Sequence, residues 1–321
     1  MPDVVDIAIV GGGPAGLTAA LYGARARART VVFEAGVPGG QIVTASWVEN
    51  YPGFPDGITG GALGDLMLRQ AQKFGAEFRN LSPVQAIRLK DSDFVLTVND
   101  EEIEAHIVIL ATGAVPKRLG VPGEAKFAGR GVSWCATCDG PLFRDKVVAV
   151  VGGGDAATQE ALFLTKFASE VHLVHRRGAL RATTCIQEQC FLNPKIIMHL
   201  SHGIEEIVGE GGKLTGVRLR SKDNGEEKTL PVDGVFMFVG VDAQSALVAD
   251  LCELDEAGFV KVDRNGQTSR RGLYAAGDVT EYELKQVITA CARGAFAVHH
   301  AAQALDARFG HAYGAAHVVT E

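Results

Sequence analysis

No stretch of this 321-residue sequence approaches the ~20 consecutive apolar residues that a membrane-crossing helix needs. Positive charge is not in excess either: 31 Lys and Arg stand against 38 Asp and Glu, a net charge of −7. Nucleic acids and anionic membranes both favour a basic face, so neither is expected as a partner. The N-terminus lacks a basic region followed by an apolar stretch and a small-residue cleavage site, and Val4 to Val10 already reads as a strand. A cytoplasmic location is the expectation. Low-complexity linkers are missing. Cysteines are few, at 135, 138, 185, 190, 252 and 291, and without a secretion signal they do not suggest a structural disulfide framework. What remains is a composition of 47% hydrophobic and 21% charged residues, ordinary for a globular chain, with length for about two domains.

Two segments have the same shape. The first runs through Asp6-Ile-Ala-Ile-Val10, a glycine turn at 11–16, an Ala/Leu-rich helical stretch to about Arg27, and Thr30-Val-Val-Phe-Glu34. The second runs through Lys146 to Val151, a glycine turn at 152–157, a helical stretch to about Ala168, and Glu170-Val-His-Leu-Val-His-Arg-Arg177. Each reads strand, turn, helix, strand, which is a βαβ unit. The expected fold class is therefore α/β, with two Rossmann-like dinucleotide-binding domains. Residues 106–113, 234–240 and 272–278 read as further strands ending in turns. Residues 93–98 and 214–220 read as antiparallel strands, and 286–305 as a helix. The tail after Phe309 carries no interpretable pattern.

Gly11, Gly13 and Gly16 stand at the GxGxxG spacing that lets a pyrophosphate approach a helix N-terminus. Glu34 ends the following strand. A carboxylate there accepts ribose hydroxyls and repels a 2′-phosphate, so this site wants FAD or NAD; a purely structural glycine turn is the plainer alternative. Gly152, Gly154 and Ala157 repeat the fingerprint in its Gly/Ala form. Here the second strand ends in His175, Arg176 and Arg177, with Arg181 four residues on. Guanidiniums form charge-assisted, often bidentate bonds to phosphate, so this end favours NADPH. A solvated basic turn is the plainer alternative, and His175 reads equally as packing.

Cys135-Ala-Thr-Cys138 lies just before the second βαβ segment. Two cysteines at this spacing can close a redox-active disulfide, supply half of a zinc site, or be coincidental. The other close pair, Cys185 and Cys190, sits beside the phosphate-selecting arginines, which disfavours zinc. Asp139 is placed to exchange protons with the thiols, with plain surface charge as the alternative. The other four cysteines read as unpaired packing residues. Trp134 reads equally as a partner contact or as packing.

In order along the chain, Gly11-Gly-Gly-Pro-Ala-Gly16, Gly39-Gly-Gln41, Val48-Glu-Asn-Tyr-Pro-Gly53, Ala111-Thr-Gly113, Gly129-Arg-Gly-Val-Ser133, Cys135-Ala-Thr-Cys-Asp-Gly140, Gly152-Gly-Gly-Asp-Ala-Ala157, His175-Arg-Arg177 and Ala276-Gly-Asp278 resemble the low-molecular-weight, bacterial-type thioredoxin reductases over nearly the whole length. The resemblance implies FAD at the first site and NADPH at the second. It implies a discontinuous FAD domain, 1–114 and 245–321, with an NADPH domain, 115–244, inserted and carrying the CxxC. It adds Pro14, Ala15, Gly40, Gln41, Asn50, Ala111, Thr112, Gly113, Gly277, Asp278, Lys285, Gln286 and Val287 to the FAD contacts, and Asp155 and Ala156 to the NADPH contacts. Asp278 would bond the ribitol chain, and residues 285–287 would open a helix beneath the flavin pyrimidine. Cys138 would face the flavin and Cys135 would attack thioredoxin. A homodimer and a rotation of the inserted domain are implied as well.

The sequence also departs from the family. Residues 175–182 read His-Arg-Arg-Gly-Ala-Leu-Arg-Ala, where the family usually has Asp-x-Phe after the two arginines. Lys285 stands where arginine is common, and Pro141-Leu142-Phe143 replaces an aromatic pair. Other readings are a flavoprotein disulfide reductase for a different thiol partner and a non-enzymatic flavin redox sensor. NADPH would not bleach the flavin of a sensor.

Overall fold

The computed structural model describes residues 4–45, 47–48, 50–281 and 284–310. The expectation for the tail therefore falls largely outside the described residues. The chain divides into two compact units, residues 1–115 with 242–321, and residues 116–241.

The first unit opens with β1 (Val5–Val10), α1 (Pro14–Arg25) and β2 (Thr30–Phe33). All six residues of β1 are buried, as a strand covered on both faces requires. Its Asp6 is no exception to polar accounting, because the carboxylate accepts the Arg29 backbone N–H at 2.6 Å. Next come α2 (Gly60–Lys73), β3 (Glu77–Arg79), β4 (Val84–Lys90), β5 (Asp93–Val98), β6 (Glu101–Leu110) and β7 (Ala114–Pro116). β6 starts at 101, not at 106. Its first half alternates exposed and buried positions and pairs antiparallel with β5; its second half is buried and pairs parallel with β1. The first half lacks a continuous apolar run, so the sequence signal began late.

The second unit holds β8 (Val132–Ser133), α3 (Ala136–Asp139), β9 (Val147–Val151), α4 (Asp155–Leu164), β10 (Glu170–Val174), α5 (Thr184–Leu192), β11 (Ile196–His199), β12 (His202–Glu210), β13 (Lys213–Ser221), β14 (Glu227–Pro231) and β15 (Gly234–Met237). A five-stranded parallel sheet runs β11-β10-β9-β15-β8, and β12-β13-β14 form a separate antiparallel sheet. Between these sheets lies a core that includes Phe127, Ala149, Val174, Leu219 and Val235. On the other face of the parallel sheet, Val148, Val150, Leu164, Leu173 and Phe236 pack with α4.

The chain returns through β16 (Val241–Ala243), which pairs with β7, then β17 (Leu273–Ala275) and α6 (Val287–Phe309). The first unit's sheet is β3-β2-β1-β6-β5-β4, with β17 on β6. Helix α6 lies on α1 through small residues. A Cβ at Gly294 would overlap the Ala15 carbonyl oxygen, so glycine sets the closeness of the two helices. At the far end Arg308 holds Asp93 at 2.6 Å, and His106 adds a second contact at 3.0 Å. Burial pushes the Asp93 carboxyl up, but these two partners outweigh it and hold it below the usual range.

Gly294→Ala is expected to force α6 off α1 and to lower stability by ~1–3 kcal/mol, the usual cost of overpacking. Gly61→Ala is the control, since a Cβ there meets nothing within 4 Å. Thermal unfolding of both variants checks the contrast: equal melting temperatures would contradict the close-packing account.

Candidate functional site

In the first unit, β1 hands over to α1 through the turn 11–16. Gly13 caps the helix in an extended conformation and Pro14 opens it, so the first helical N–H groups have no internal partner. Glu34 follows β2 directly. Its two carboxylate oxygens accept the Gly12 and Gly36 N–H groups, each at 2.7 Å. The backbone therefore fixes the acid beside the glycine turn with lone pairs to spare.

The other expected residues of this unit gather around the ends of the same sheet. Gln41 donates its side-chain amide to the Ala114 carbonyl. Ala111, Thr112 and Gly113 leave β6, and the Thr112 hydroxyl donates to the Gln244 carbonyl at 2.6 Å. The side chain of Asn50 donates to Gln286 Oε1 at 3.0 Å. Gln286 is the N-cap of α6, in a reciprocal capping box with Thr289, and Val287 is the first helical residue. The sequence reading missed this box, because Gln-x-x-Thr inverts the usual order of residue types.

Asp278 and Gly277 follow β17. With Leu284, Lys285, Ala290 and Arg293 they line a cavity of about 330 Å³. Burial raises the Asp278 carboxyl above its ordinary value, and the Lys285 ammonium opposes this. Lys285 does not reach outward. Its Nζ donates to the carbonyls of Asp278 at 3.1 Å and Thr280 at 3.2 Å, and lies 4.3 Å from the centre of the Phe259 ring. Its burial lowers the ammonium's affinity for its proton, against the pull of Asp278 and Asp255. Arg293, two helical turns into α6, was not anticipated. Its spacing from Gln286 places it on the cavity side, but nothing in the sequence marks a cavity there.

In the second unit the turn 152–157 joins β9 to α4, with Gly154 as N-cap. A Cβ on Gly154 would meet nothing within 4 Å, so the turn faces open space, as a phosphate cradle should. Gly153 is different: a side chain there would collide with the His175 ring. His175 is thus buried packing for the turn. Its Nε2 has no hydrogen-bond partner among the described residues. Burial pushes its pKa down, and Arg181, Arg177 and Arg176 push it further. Those three arginines are exposed at the end of β10 and just beyond. The Arg181 N–H donates to the Gly153 carbonyl at 2.6 Å, which draws it to the turn. Asp155 starts α4, with Ala156 and Ala157 behind it. Its carboxylate accepts the Thr183 N–H at 2.7 Å and the Thr183 hydroxyl at 3.1 Å, so it caps α5.

Cys135 and Cys138 are joined as a disulfide across α3, with Cα atoms 5.3 Å apart. Cys135 is the N-cap, and its sulfur accepts the Cys138 N–H at 3.2 Å, with the Thr137 hydroxyl 3.3 Å away. Ser133 accepts the Cys135 N–H at 3.0 Å. Cys135 is half-buried and Cys138 exposed; Asp139 closes the helix, half-buried. Trp134 is half-buried under the Arg118 guanidinium, 4.9 Å from its ring centre. Among the other cysteines, Cys190 is buried, its thiol pushed up to about 11 by that burial, and Cys291 is buried too. Cys185 corrects the packing expectation: it is exposed on α5, facing away from the core.

The residues present fit a dinucleotide at each turn: open helix starts, a carboxylate ending one second strand and guanidiniums ending the other. Over residues 5–294 the chain matches the pyridine nucleotide-disulphide oxidoreductase family. It is 48% identical to a thioredoxin reductase of Mycolicibacterium smegmatis, over 91% of this chain and 93% of that one. It is 43% identical to a thioredoxin reductase of Listeria innocua, over 93% of each. The crystal structure of thioredoxin reductase from Streptococcus pyogenes superposes with a TM-score of 0.89 at 39% identity, covering 96% of this chain and all of that one. The chain belongs to the pyridine nucleotide-disulphide oxidoreductase family and, within it, to the thioredoxin reductases.

Proposed function

We propose that this enzyme transfers electrons from NADPH through FAD to the Cys135–Cys138 disulfide, and from there to the disulfide of thioredoxin. The observation that carries the reading is a closed Cys135–Cys138 disulfide in the same unit as the arginine-flanked glycine turn. In this reading residues 1–114 and 245–321 hold FAD, and residues 115–244 hold NADPH. The working form is a cytoplasmic homodimer.

Glu34 receives the adenosine ribose hydroxyls of FAD and excludes a 2′-phosphate by charge. Gly11, Gly13 and Gly16 admit its pyrophosphate to the start of α1. Asp278 takes the ribitol hydroxyls, which compensates its burial. The start of α6 at Gln286 and Val287 would receive the pyrimidine end of the flavin, since the positive end of a helix stabilises negative charge. Arg176, Arg177 and Arg181 bind the 2′-phosphate of NADPH. Bound flavin supplies a two-electron carrier between nicotinamide and disulfide.

Reduction of the disulfide leaves two thiols. The Cys138 N–H and the Thr137 hydroxyl then face the Cys135 sulfur and favour its thiolate. That thiolate attacks one sulfur of the partner disulfide, forming a mixed disulfide and releasing a partner thiolate. Cys138 then attacks the Cys135 sulfur, restores the internal disulfide and releases the second thiol. Asp139 supplies and accepts the protons. NADPH, one proton and a disulfide become NADP⁺ and a dithiol.

Cys138→Ser is expected to abolish thioredoxin reduction, while NADPH still bleaches the flavin under anaerobic conditions. Normal thioredoxin turnover by this variant would exclude the relay. Arg176→Ala is expected to narrow the NADPH-over-NADH preference in kcat/KM by about tenfold or more, the scale of one hydrogen bond between charged groups. An unchanged ratio would remove the arginines from cofactor selection.

A further inference from the structure

The proposed reaction leaves a line of polar side chains in the second unit without a role. Glu170 and His172 stand on β10, His199 on β11 and Lys228 on β14. His172 Nε2 lies 2.7 Å from a Glu170 oxygen, and His172 Nδ1 lies 3.0 Å from His199 Nε2. Lys228 Nζ lies 3.1 Å from His199 Nδ1. Both rings are buried.

One placement of protons satisfies all three contacts. An ammonium only donates, so His199 Nδ1 is bare and Nε2 carries the hydrogen. That hydrogen points to His172 Nδ1, which is therefore bare as well. His172 Nε2–H then donates to the Glu170 carboxylate. Both rings are neutral and share one tautomer. An extra proton on either ring would set a donor against a donor. Burial and the Lys228 charge hold both rings below the usual imidazole range, His199 at about 4, with Glu170 opposing at His172. His202, on β12, adds to the positive surroundings of His199, and its own Nδ1 sits 2.6 Å from the Leu200 carbonyl.

The same short stretch of chain carries the arginine loop. The His175 N–H donates to the His199 carbonyl at 3.0 Å, the Ser201 N–H to Arg177 at 2.9 Å, and the His202 N–H to His175 at 3.0 Å. The main chain from which Arg176 and Arg177 project therefore rests on residues 199–202.

We propose that His199 is a positioning residue for nicotinamide-cofactor choice: held between Lys228 and His172, it fixes the turn 199–202 and through it the place where Arg176 and Arg177 meet a 2′-phosphate. The inference rests on reading the arginine loop as the NADPH-selecting element. A displaced guanidinium loses phosphate contact, whereas NADH makes no such contact. The effect should appear in KM for NADPH alone.

The test is steady-state kinetics of the flavin-loaded enzyme at pH 8, where the 2′-phosphate is fully ionised, with NADPH and NADH as varied substrates. His199→Phe removes both ring contacts and keeps the volume. Lys228→Met breaks the line from the exposed strand β14 and serves if the first variant fails to fold. Each is expected to raise KM for NADPH by about tenfold, with kcat and KM for NADH changed less than twofold. His199→Gln, whose amide can still donate to His172, should recover part of the loss. Equal rises in both KM values, a fall in kcat alone, or no change in Lys228→Met would overturn the proposal. Arg176→Ala run in parallel separates the two ideas. If it narrows the cofactor preference and the His199 and Lys228 variants do not, the arginine reading stands and the positioning role fails. If Arg176→Ala changes nothing, both fail. Nitrogen NMR of the wild type gives an independent readout: His172 and His199 should both carry hydrogen on Nε2, and His199 should stay neutral down to pH 5. Protonation of His199 near its ordinary value would contradict the assigned line.

Discussion

Both nucleotide turns depend on one steric condition. The strand must reach its helix through a bend that has no room for a side chain at its tightest positions, so that the first helical N–H groups stay open. At the first turn a Cβ on Gly16 would overlap the Gly11 carbonyl oxygen. At the second, a Cβ on Gly152 would meet the Phe238 carbonyl oxygen at 2.5 Å. The neighbours that forbid side chains are backbone atoms one residue beyond the ends of β1 and β15, so they cannot easily yield. The helix starts are thereby pinned to the strand ends, and the positive ends of α1 and α4 are aimed outward from the sheet.

Around this shared geometry the two units differ in charge and in how that charge is held. Glu34 is oriented by two backbone N–H groups, that of Gly12 in the glycine turn and that of Gly36 two residues on. The arginines at the end of β10 are exposed, and among the described residues no comparable hydrogen bonds fix their side chains. Their precision has to come from the main chain, and that main chain leans on residues 199–202. A carboxylate can exclude a phosphate from a range of positions, since repulsion acts over several ångströms. A guanidinium that binds a phosphate needs its donors within hydrogen-bond reach. The basic end of β10 therefore requires more scaffolding than the acidic end of β2.

The sequence was most legible where one residue type does one job. The two glycine turns, the strands that enter them and the residues that end the second strands could be read from spacing alone. Helix α6 was also legible, running from 287 to 309 against an expected 286–305. Legibility failed where a side chain serves a distant partner. Asp155 sits in the NADPH fingerprint, yet its carboxylate caps α5 at Thr183, 28 residues away. Lys285 sits at a flavin-family position, yet its ammonium is spent on two carbonyls and a ring face. His172, His199 and Lys228 look like scattered strand residues until β10, β11 and β14 bring them together. Cys185 was misjudged because a cysteine's apolar character favours burial, while its place on the exposed side of α5 decides the matter.

The cysteine pair shows how much the local frame adds to a motif. Two cysteines three apart can close a bridge in many backbones, and spacing does not distinguish the two sulfurs. Here the short helix α3 does. Cys135 is its N-cap and receives the N–H of Cys138 and the neighbouring Thr137 hydroxyl, while the Cys138 sulfur receives no corresponding donor from that turn. After reduction the first sulfur is the one the backbone prepares to carry negative charge. The order of attack proposed for Cys135 and Cys138 is supported by these contacts, all made between Ser133 and Cys138. It requires only that Ser133 keep holding the Cys135 N–H and that α3 keep its single turn.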